Sequence, residues 1–396
     1  MKLFQVQFSV LGLGLIVGLA LTLTGCRNAY QFGLTNEGQN FTQGNSGFTN
    51  QLDILWVVDN SSSMGPLQTN MANNFTSFIS SFQTKNYDFR MAVTSTDAYK
   101  ANTKFTQYAA ANAPLALFYD GAPGVGTPSG VFVIIPTTPN LDATFVTNAT
   151  TGINGSGDER AFSSMMTTLN NPLNPNFLRS SSFFAVIILS DEDDFSLYSR
   201  TEGSWGSNDA LDHCYADAAM DQIATTAYSG TTHVATCAGQ TPPDSVQSYI
   251  SDLDSLTAST GATRRYNVST IAVLDSACQV QHSADPNSTV SIVGQRYIQM
   301  SQATQGVQGS ICDPSYSNSL SAIASQIAVL STQFFLNIIP NPSTIVVAVN
   351  NMPIPNSATN GWTYNSEANS IQFHGTATPP QGADINVNFL PLSANP

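Results

Sequence analysis

With 396 residues, 42% of them hydrophobic, the chain is long enough to bury one large core and a smaller one. Only 10% of the residues are charged and the formal net charge is −14, so solubility rests largely on Asn, Ser, Thr and Gln. An acidic, charge-poor surface argues against nucleic acid as a partner and against tight binding to anionic lipid.

The first 25 residues hold a single charge, Lys2, and an uncharged apolar run from Val10 to Leu23. That is the pattern of an export signal, to be left out of the fold. It closes on Leu23-Thr24-Gly25-Cys26, which resembles the lipobox of bacterial lipoproteins. The resemblance implies cleavage before Cys26, diacylation (palmitate) of that cysteine and, with Arg27 next, sorting to the outer membrane. A lone transmembrane anchor is the competing reading. Residues 26–50 are rich in Asn, Gln, Gly and Thr without a hydrophobic period, and read as a flexible tether.

Residues 51–332 read as one α/β domain. Leu52-Asp53-Ile54-Leu55-Trp56-Val57-Val58 is apolar but for Asp53, as in a strand covered on both faces. It stops at Asp59-Asn60-Ser61-Ser62-Ser63. Leu67, Met71, Phe75, Phe78, Ile79 and Phe82 then recur at helical spacing. Asp88 to Ser95 reads as the second strand. An insertion over about residues 96–150, full of Pro, Gly, Ala and Thr, reads as a loop or β-hairpin excursion holding a third sheet strand near Val131 to Ile135. Ser156 and Glu159 have capping-box spacing before a helix through Phe162, Met165, Met166 and Leu169.

Ser182 to Ser190 is the most apolar run after the leader and reads as a central strand ending in Asp191-Glu192-Asp193-Asp194. Ser199 to Gln240 looks loop-rich. A helix through Val246 to Leu256, a strand from Tyr266 to Leu274 and a closing helix through Leu320 to Leu330 follow. Strands alternating with helices imply a doubly wound, mostly parallel sheet flanked by helices. Residues 333–396, with short β candidates separated by Pro, Gly and Asn, read as a small C-terminal all-β module.

Besides Cys26, the cysteines are Cys214, Cys237, Cys278 and Cys312. An even set in an exported chain reads as disulfides. Of three connectivities, Cys214–Cys237 with Cys278–Cys312 is the expected one. A zinc site beside His213 is the alternative, without any Cys-x-x-Cys spacing to support it.

A strand, then Asp59-x-Ser61-x-Ser63, then a helix resembles the metal-ion-dependent adhesion site of von Willebrand factor type A domains, the integrin inserted-domain fold. The second loop of that site normally supplies a threonine; here Gly155-Ser156 stands in its place. The third supplies an aspartate in Thr-Asp-Gly; here it is Ser190-Asp191-Glu192. The pieces together are similar to lipoprotein-type von Willebrand A proteins of predatory and gliding bacteria.

The resemblance implies a divalent ion at Asp59, Ser61, Ser63, Ser156 and Asp191, with an open position for an acidic side chain of a protein partner. All-oxygen donors suit Mg²⁺, Mn²⁺ or Ca²⁺. Glu159 is an alternative donor or a capping-box partner. Asp193 and Asp194 hold a second ion or form a solvated acidic turn. The bland alternative is that Asp59 and its serines cap the helix. No His-Glu-x-x-His, Gly-x-Ser-x-Gly or phosphate-cradling loop is visible. Three functions stay open: metal-dependent adhesion on the cell surface, an envelope scaffold facing the periplasm, and a hydrolase with a site in residues 96–148.

Overall fold

The computed structural model describes residues 37–42 and 51–392, less the stretches 84–86, 103–111, 197–212, 237–243, 260–263, 285–291 and a few shorter ones. Cys26 and Cys237 lie outside the described residues, and with them the leader, the acylation and the first cysteine pair.

Strand β1 (Glu37–Thr42) is followed by β2 (Gln51–Val58), helix α1 (Gly65–Gln83) and β3 (Asp88–Ser95). Helices α2 (Leu141–Ala149) and α3 (Ala161–Leu169) lead to β4 (Phe183–Leu189). Strands β5 (His213–Asp217), β6 (Gln222–Ser229) and β7 (Thr232–Thr236) precede α4 (Val246–Leu256) and β8 (Tyr266–Ala272). Then come α5 (Ser276–Ser283), α6 (Gln295–Ala303), β9 (Gln308–Ser310) and α7 (Ser317–Ser331).

The central sheet runs β3-β2-β4-β8-β9, and all four pairings are parallel. From β2 the chain steps first to β3 on one side and then to β4 on the other. The order reverses between β2 and β4, and the crevice beyond their carboxyl ends is where open α/β sheets hold ligands.

Alternate residues of β2 feed two cores. Leu52, Ile54, Trp56 and Val58 pack with α1, α2 and α7, while Leu55 and Val57 pack with α3, α4 and α6. Trp56 meets Phe78 edge-on at 5.2 Å and Phe145 at 5.1 Å, and Phe145 stacks on Phe75 at 3.6 Å. Each such fully buried side chain stabilises by roughly 1.5–3 kcal/mol, and each aromatic pair adds about 0.5–1.5 kcal/mol. The one polar residue of β2 is explained as well. Asp53, fully buried, accepts from the Arg179 backbone N–H at 2.6 Å and its Nε at 2.9 Å, and from the Ser182 hydroxyl.

The insertion differs from its sequence reading. No sheet strand forms at Val131 to Ile135; Ile134 makes one antiparallel bridge to Met91 at the β3 edge. Pro128, Pro136 and Pro139 remove ladder donors on both sides, and Gly121, Gly124, Gly126 and Gly130 take positive φ. What the insertion adds instead is α2, whose Phe145 completes the aromatic cluster.

The stretch read as loop-rich holds the antiparallel sheet β5-β6-β7, with Cys214 on β5. Its β-branched residues, Ile223, Thr225 and Thr226 on β6 and Thr232, Val234 and Thr236 on β7, favour extended chain.

The β-module contains β10 (Gln333–Phe335), β11 (Val346–Val349), β12 (Met352–Ile354), β13 (Gly361–Asn365), β14 (Ser370–His374) and β15 (Asp384–Phe389). Two antiparallel sheets, β1-β15-β11-β12 and β10-β14-β13, enclose a core of Phe334, Val347, Trp362, Ile371, Phe373, Ile385, Val387 and Phe389. Strand β1 corrects the tether reading of residues 26–50. Glu37–Thr42 pairs along the whole of β15, Glu37 against Phe389 and Thr42 against Asp384. Backbone pairing at an open sheet edge needs no hydrophobic period, which is why composition concealed this strand.

Candidate metal centre

The first turn leaves β2 with its backbone still in the ladder, the Asp59 N–H donating to the Leu189 carbonyl at 2.9 Å. The Asp59 carboxylate accepts from the Ser61 N–H at 2.8 Å and from the Ser190 hydroxyl at 2.7 Å, so the third turn already touches the first. The Ser61 and Ser63 hydroxyls stand 3.1 Å apart, and both residues are buried. On α1, Gln68 Nε2 donates to the Asp59 carbonyl at 2.7 Å, the Thr151 hydroxyl at 3.1 Å and the Gly152 carbonyl at 2.9 Å. One buried amide thereby ties the first turn to the second.

The second turn makes its own contact. The Gly155 N–H donates to the Asn60 carbonyl at 2.7 Å. A β-carbon on Gly155 would lie 2.5 Å from the Asn60 side chain, so this approach requires glycine. Ser156 lies outside the described residues.

The capping box does not form at this helix. Helix α3 starts at Ala161, and its N-cap residue Arg160 makes no side-chain cap. Its first donors are met from the third turn, the Phe162 N–H by Asp194 Oδ1 at 3.0 Å and the Ser163 N–H by the Ser196 hydroxyl at 2.8 Å. Glu159 is thereby left fully buried, and neither carboxylate oxygen accepts a hydrogen bond among the described residues.

Asp193 and Asp194 are not a solvated turn. They are 1% and 0% exposed. Asp193 Oδ1 accepts from the Arg296 and Asp194 N–H groups, and Asp194 accepts from Phe162, Ser196 and Arg296 Nε. These oxygens serve helix N-termini and a buried guanidinium, which accounts for two of the four acids in the Asp-Glu-Asp-Asp run.

Asp59, Glu159 and Asp191 remain. All three are fully buried, and no Lys or Arg pairs with any of them among the described residues. Burial pushes the Asp59 carboxyl up to about 7, with the Asp191 charge adding to the rise. Burial likewise raises Asp191 to about 6, against the pull of the nearby Ser63 hydroxyl. Glu159 is raised well above the usual carboxylate range by burial, then by the charges of Glu192, Asp59 and Asp191.

Buried carboxylates without a counter-charge are expensive. A divalent ion is the group that would relieve them, and donorless oxygens on Glu159 and Asp191 beside a pair of buried hydroxyls fit a hard cation. Among the described residues, no three His, Cys, Asp or Glu side chains converge closely enough to hold an ion by themselves.

Three participants were not legible as site residues. Gln68 shares the buried face of α1 with Met71, Phe75 and Ile79, three, seven and eleven residues on, and in the sequence is only a polar interruption of that stripe. Glu192 lies in the acidic run and adds charge beside Glu159. His282, on α5, places Nε2 3.4 Å from Asp191 Oδ2. A signal for it existed, because His282 is four residues from Cys278 and so shares its helix face. The Cys278–Cys312 disulfide forms and holds that helix at the sheet edge beyond β9.

No family profile and no curated relative matches the chain. Among solved structures, it is similar to the pilus adhesin SpaC from Lactobacillus rhamnosus GG, with a TM-score of 0.35 and 11% identity, covering 90% of this chain and 40% of that one. It is also similar to proximal thread matrix protein 1 from the mussel byssus, with a TM-score of 0.34, 10% identity and coverage of 73% and 50%. The adhesive tip pilin GBS104 from Group B Streptococcus agalactiae gives a TM-score of 0.31, 10% identity and coverage of 91% and 81%. The chain spans about two fifths of SpaC and half of the byssus protein. At such scores the likeness fixes no family.

Proposed function

We propose that the chain is a lipid-anchored outer-membrane protein that binds a protein partner through a divalent ion at Asp59, Ser61, Ser63, Ser156 and Asp191. Adhesion is the use this reading favours. The observation that supports it is the buried group of Asp59, Glu159 and Asp191, which no Lys or Arg compensates among the described residues. It lies at the reversal of strand order, where the fold places ligands. The neutral hydroxyls of the serines would leave much of the ion's charge uncompensated and Asp59 and Asp191 would act mainly through water, so that an acidic side chain from the partner completes its shell. Mg²⁺, Mn²⁺ or Ca²⁺ supplies only that electrostatic bridge; the protein residues orient it and exclude water from its inner side.

The test is adhesion of the purified chain to a panel of envelope and matrix proteins with Mg²⁺, with EDTA, and with Asp59→Ala. Binding is expected to fall at least 10-fold in both of the latter conditions. Binding that survives chelator and substitution alike would remove the metal from the mechanism.

A second reading, an envelope scaffold facing the periplasm, draws on one observation. Of the ten large apolar side chains exposed among the described residues, five (Ile338, Ile339, Val346, Met352 and Leu392) belong to the β-module. Protease added to intact cells distinguishes the two. A chain that is clipped faces outward and supports adhesion, and a protected one supports the scaffold.

A further inference from the structure

We propose that one end of the β-module, carrying Ile338, Ile339, Val346 and Leu392, docks on the bilayer that holds the lipid anchor, a placement that rests on acylation of Cys26 in the reading above.

Topology gathers these side chains into one rim. The Leu392 N–H donates to the Ile339 carbonyl at 2.8 Å, the Asn341 N–H donates to the Leu390 carbonyl at 2.7 Å, and Pro340 bridges Pro391. Held side by side in this way, Ile339 and Leu392 are still 58% and 57% exposed. Val346, at the start of β11, pairs with Asn388 near the end of β15 and joins the same rim. Met352 is exposed too, yet it pairs with Val349 at the far end of β11.

The chain from Cys26 arrives at the rim end. Strand β1 runs antiparallel to β15, so its first residue, Glu37, lies opposite Phe389, three residues short of Leu392. Cys26 precedes Glu37 by eleven residues. At about 3.3–3.6 Å per residue, the acylated cysteine is at most about 40 Å of chain away. An anchor that enters beside Leu392, and not beside Met352, is what commits this patch to a bilayer.

The chemistry of the rim agrees. No charged residue occurs from Gln333 to Ser366 or from Ile385 to Pro396. The acids on the neighbouring elements, Glu37 on β1 and Glu367 in the β13–β14 turn, offer anionic headgroups nothing to bind. Attachment therefore comes from apolar insertion, and each side chain of this size fully withdrawn from water is worth roughly tenfold or more in partitioning. Pro340, Pro342 and Pro391 have no N–H to strip of water, which lowers the cost of entering the headgroup layer.

Docking also aims the crevice. Helix α7 ends at Ser331, whose hydroxyl stands 3.5 Å from the Tyr87 hydroxyl, immediately before β3. The module thus joins the amino-terminal edge of the central sheet, opposite the crevice, and β10 leads on from that junction towards Ile338. A rim seated on the bilayer turns Asp59 and Asp191 outward, where a partner reaches them.

The test reconstitutes the whole acylated chain into phosphatidylcholine vesicles, plain or with brominated acyl chains. Bromine quenching is read from a single added tryptophan, in Ile339→Trp, Leu392→Trp or Met352→Trp, after subtracting the emission of the unsubstituted chain. Both rim variants are expected to lose emission in the brominated vesicles, to the same extent at low and high salt, and Met352→Trp to keep its emission. Two rim positions guard against a folding defect in either. Mass spectrometry of Cys26 and flotation of the vesicles check the anchor separately.

In a chain that is acylated and floats, rim tryptophans that stay bright, or a Met352→Trp quenched as strongly as they are, overturn the docking and leave the anchor standing. A chain with no acyl group on Cys26 overturns the anchor reading and the docking with it.

Discussion

Replacing Arg296 by methionine is expected to lower the free energy of unfolding by about 3–5 kcal/mol, measured by urea denaturation at neutral pH. Arg296 is fully buried. Its Nε faces Asp194 Oδ2 at 3.4 Å, its Nη2 donates to the Asp244 carbonyl, and the guanidinium lies 5.7 Å over the Phe162 ring. Burial raises the carboxyls of Asp193 and Asp194, with Asp193 up to about 7, and in both the Arg296 charge pulls back down. Methionine fills much of the volume but leaves two buried carboxyls without that charge.

The double variant Asp194→Asn with Arg296→Met supplies the check. If the uncompensated charge causes the loss, the double variant loses at least about 1 kcal/mol less than the two single losses together. Strict additivity would instead assign the loss to packing over Phe162. The consequence reaches the candidate centre, because Asp194 also caps α3 and stands three residues from Asp191. On the proposed metal reading, a loosened third turn would weaken metal affinity without touching a ligand.

Much of the central sheet was legible because its signals are local. The apolar run ending at Asp59, the helical spacing from Leu67 to Phe82 and the apolar run ending at Ser190 mark β2, α1 and β4 within a residue or two. The position of Asp59 and Asp191 at neighbouring strand ends follows from that register, Val58 pairing with Leu189. What stayed hidden depends on distant partners. Ser156 and Glu159 have the spacing of a capping box, yet the helix starts only at Ala161 and its Phe162 N–H is met by Asp194 across the crevice, a partner that local pattern does not contain. Strand β1 draws its pairing from β15, more than 300 residues away along the chain. His282 became visible only through the disulfide that orients its helix. The charge of Asp193 and Asp194 suggested water, whereas Arg296 allows them to be buried.

Without divalent metal, the stability of the chain is expected to fall as pH rises from about 4 to about 7, the opposite of an ordinary acid-labile fold. The sign follows from which state holds its protons longer. Asp59 is raised from 3.8 to about 7 and Asp191 to about 6 in the folded chain, both by burial first. Between the unfolded and folded values the native state binds more protons, so the slope of stability against pH is negative. The contribution is complete below pH 3.8 and is lost as pH passes through the folded value. One such carboxyl costs up to about 1.4 kcal/mol per pH unit, so Asp59 alone, raised from 3.8 to about 7, gives on the order of 4 kcal/mol across its window.

A bound divalent ion replaces those protons, and its affinity grows with pH for the same reason. At 100 times its dissociation constant it returns about 2.7 kcal/mol. Thermal unfolding in EDTA at pH 5 and pH 8 should therefore show a higher midpoint at pH 5, and Mg²⁺ or Mn²⁺ should raise the pH 8 midpoint far more than the pH 5 one. Asp59→Asn should flatten the metal-free profile and abolish the metal response together. A residual slope from Asp193 survives in every case, since Arg296 and not the ion is its partner. A midpoint that rises with pH in EDTA would mean that Asp59 and Asp191 are ionised at no cost in the folded chain. The unrelieved cost of buried charge that calls for a cation would then not exist.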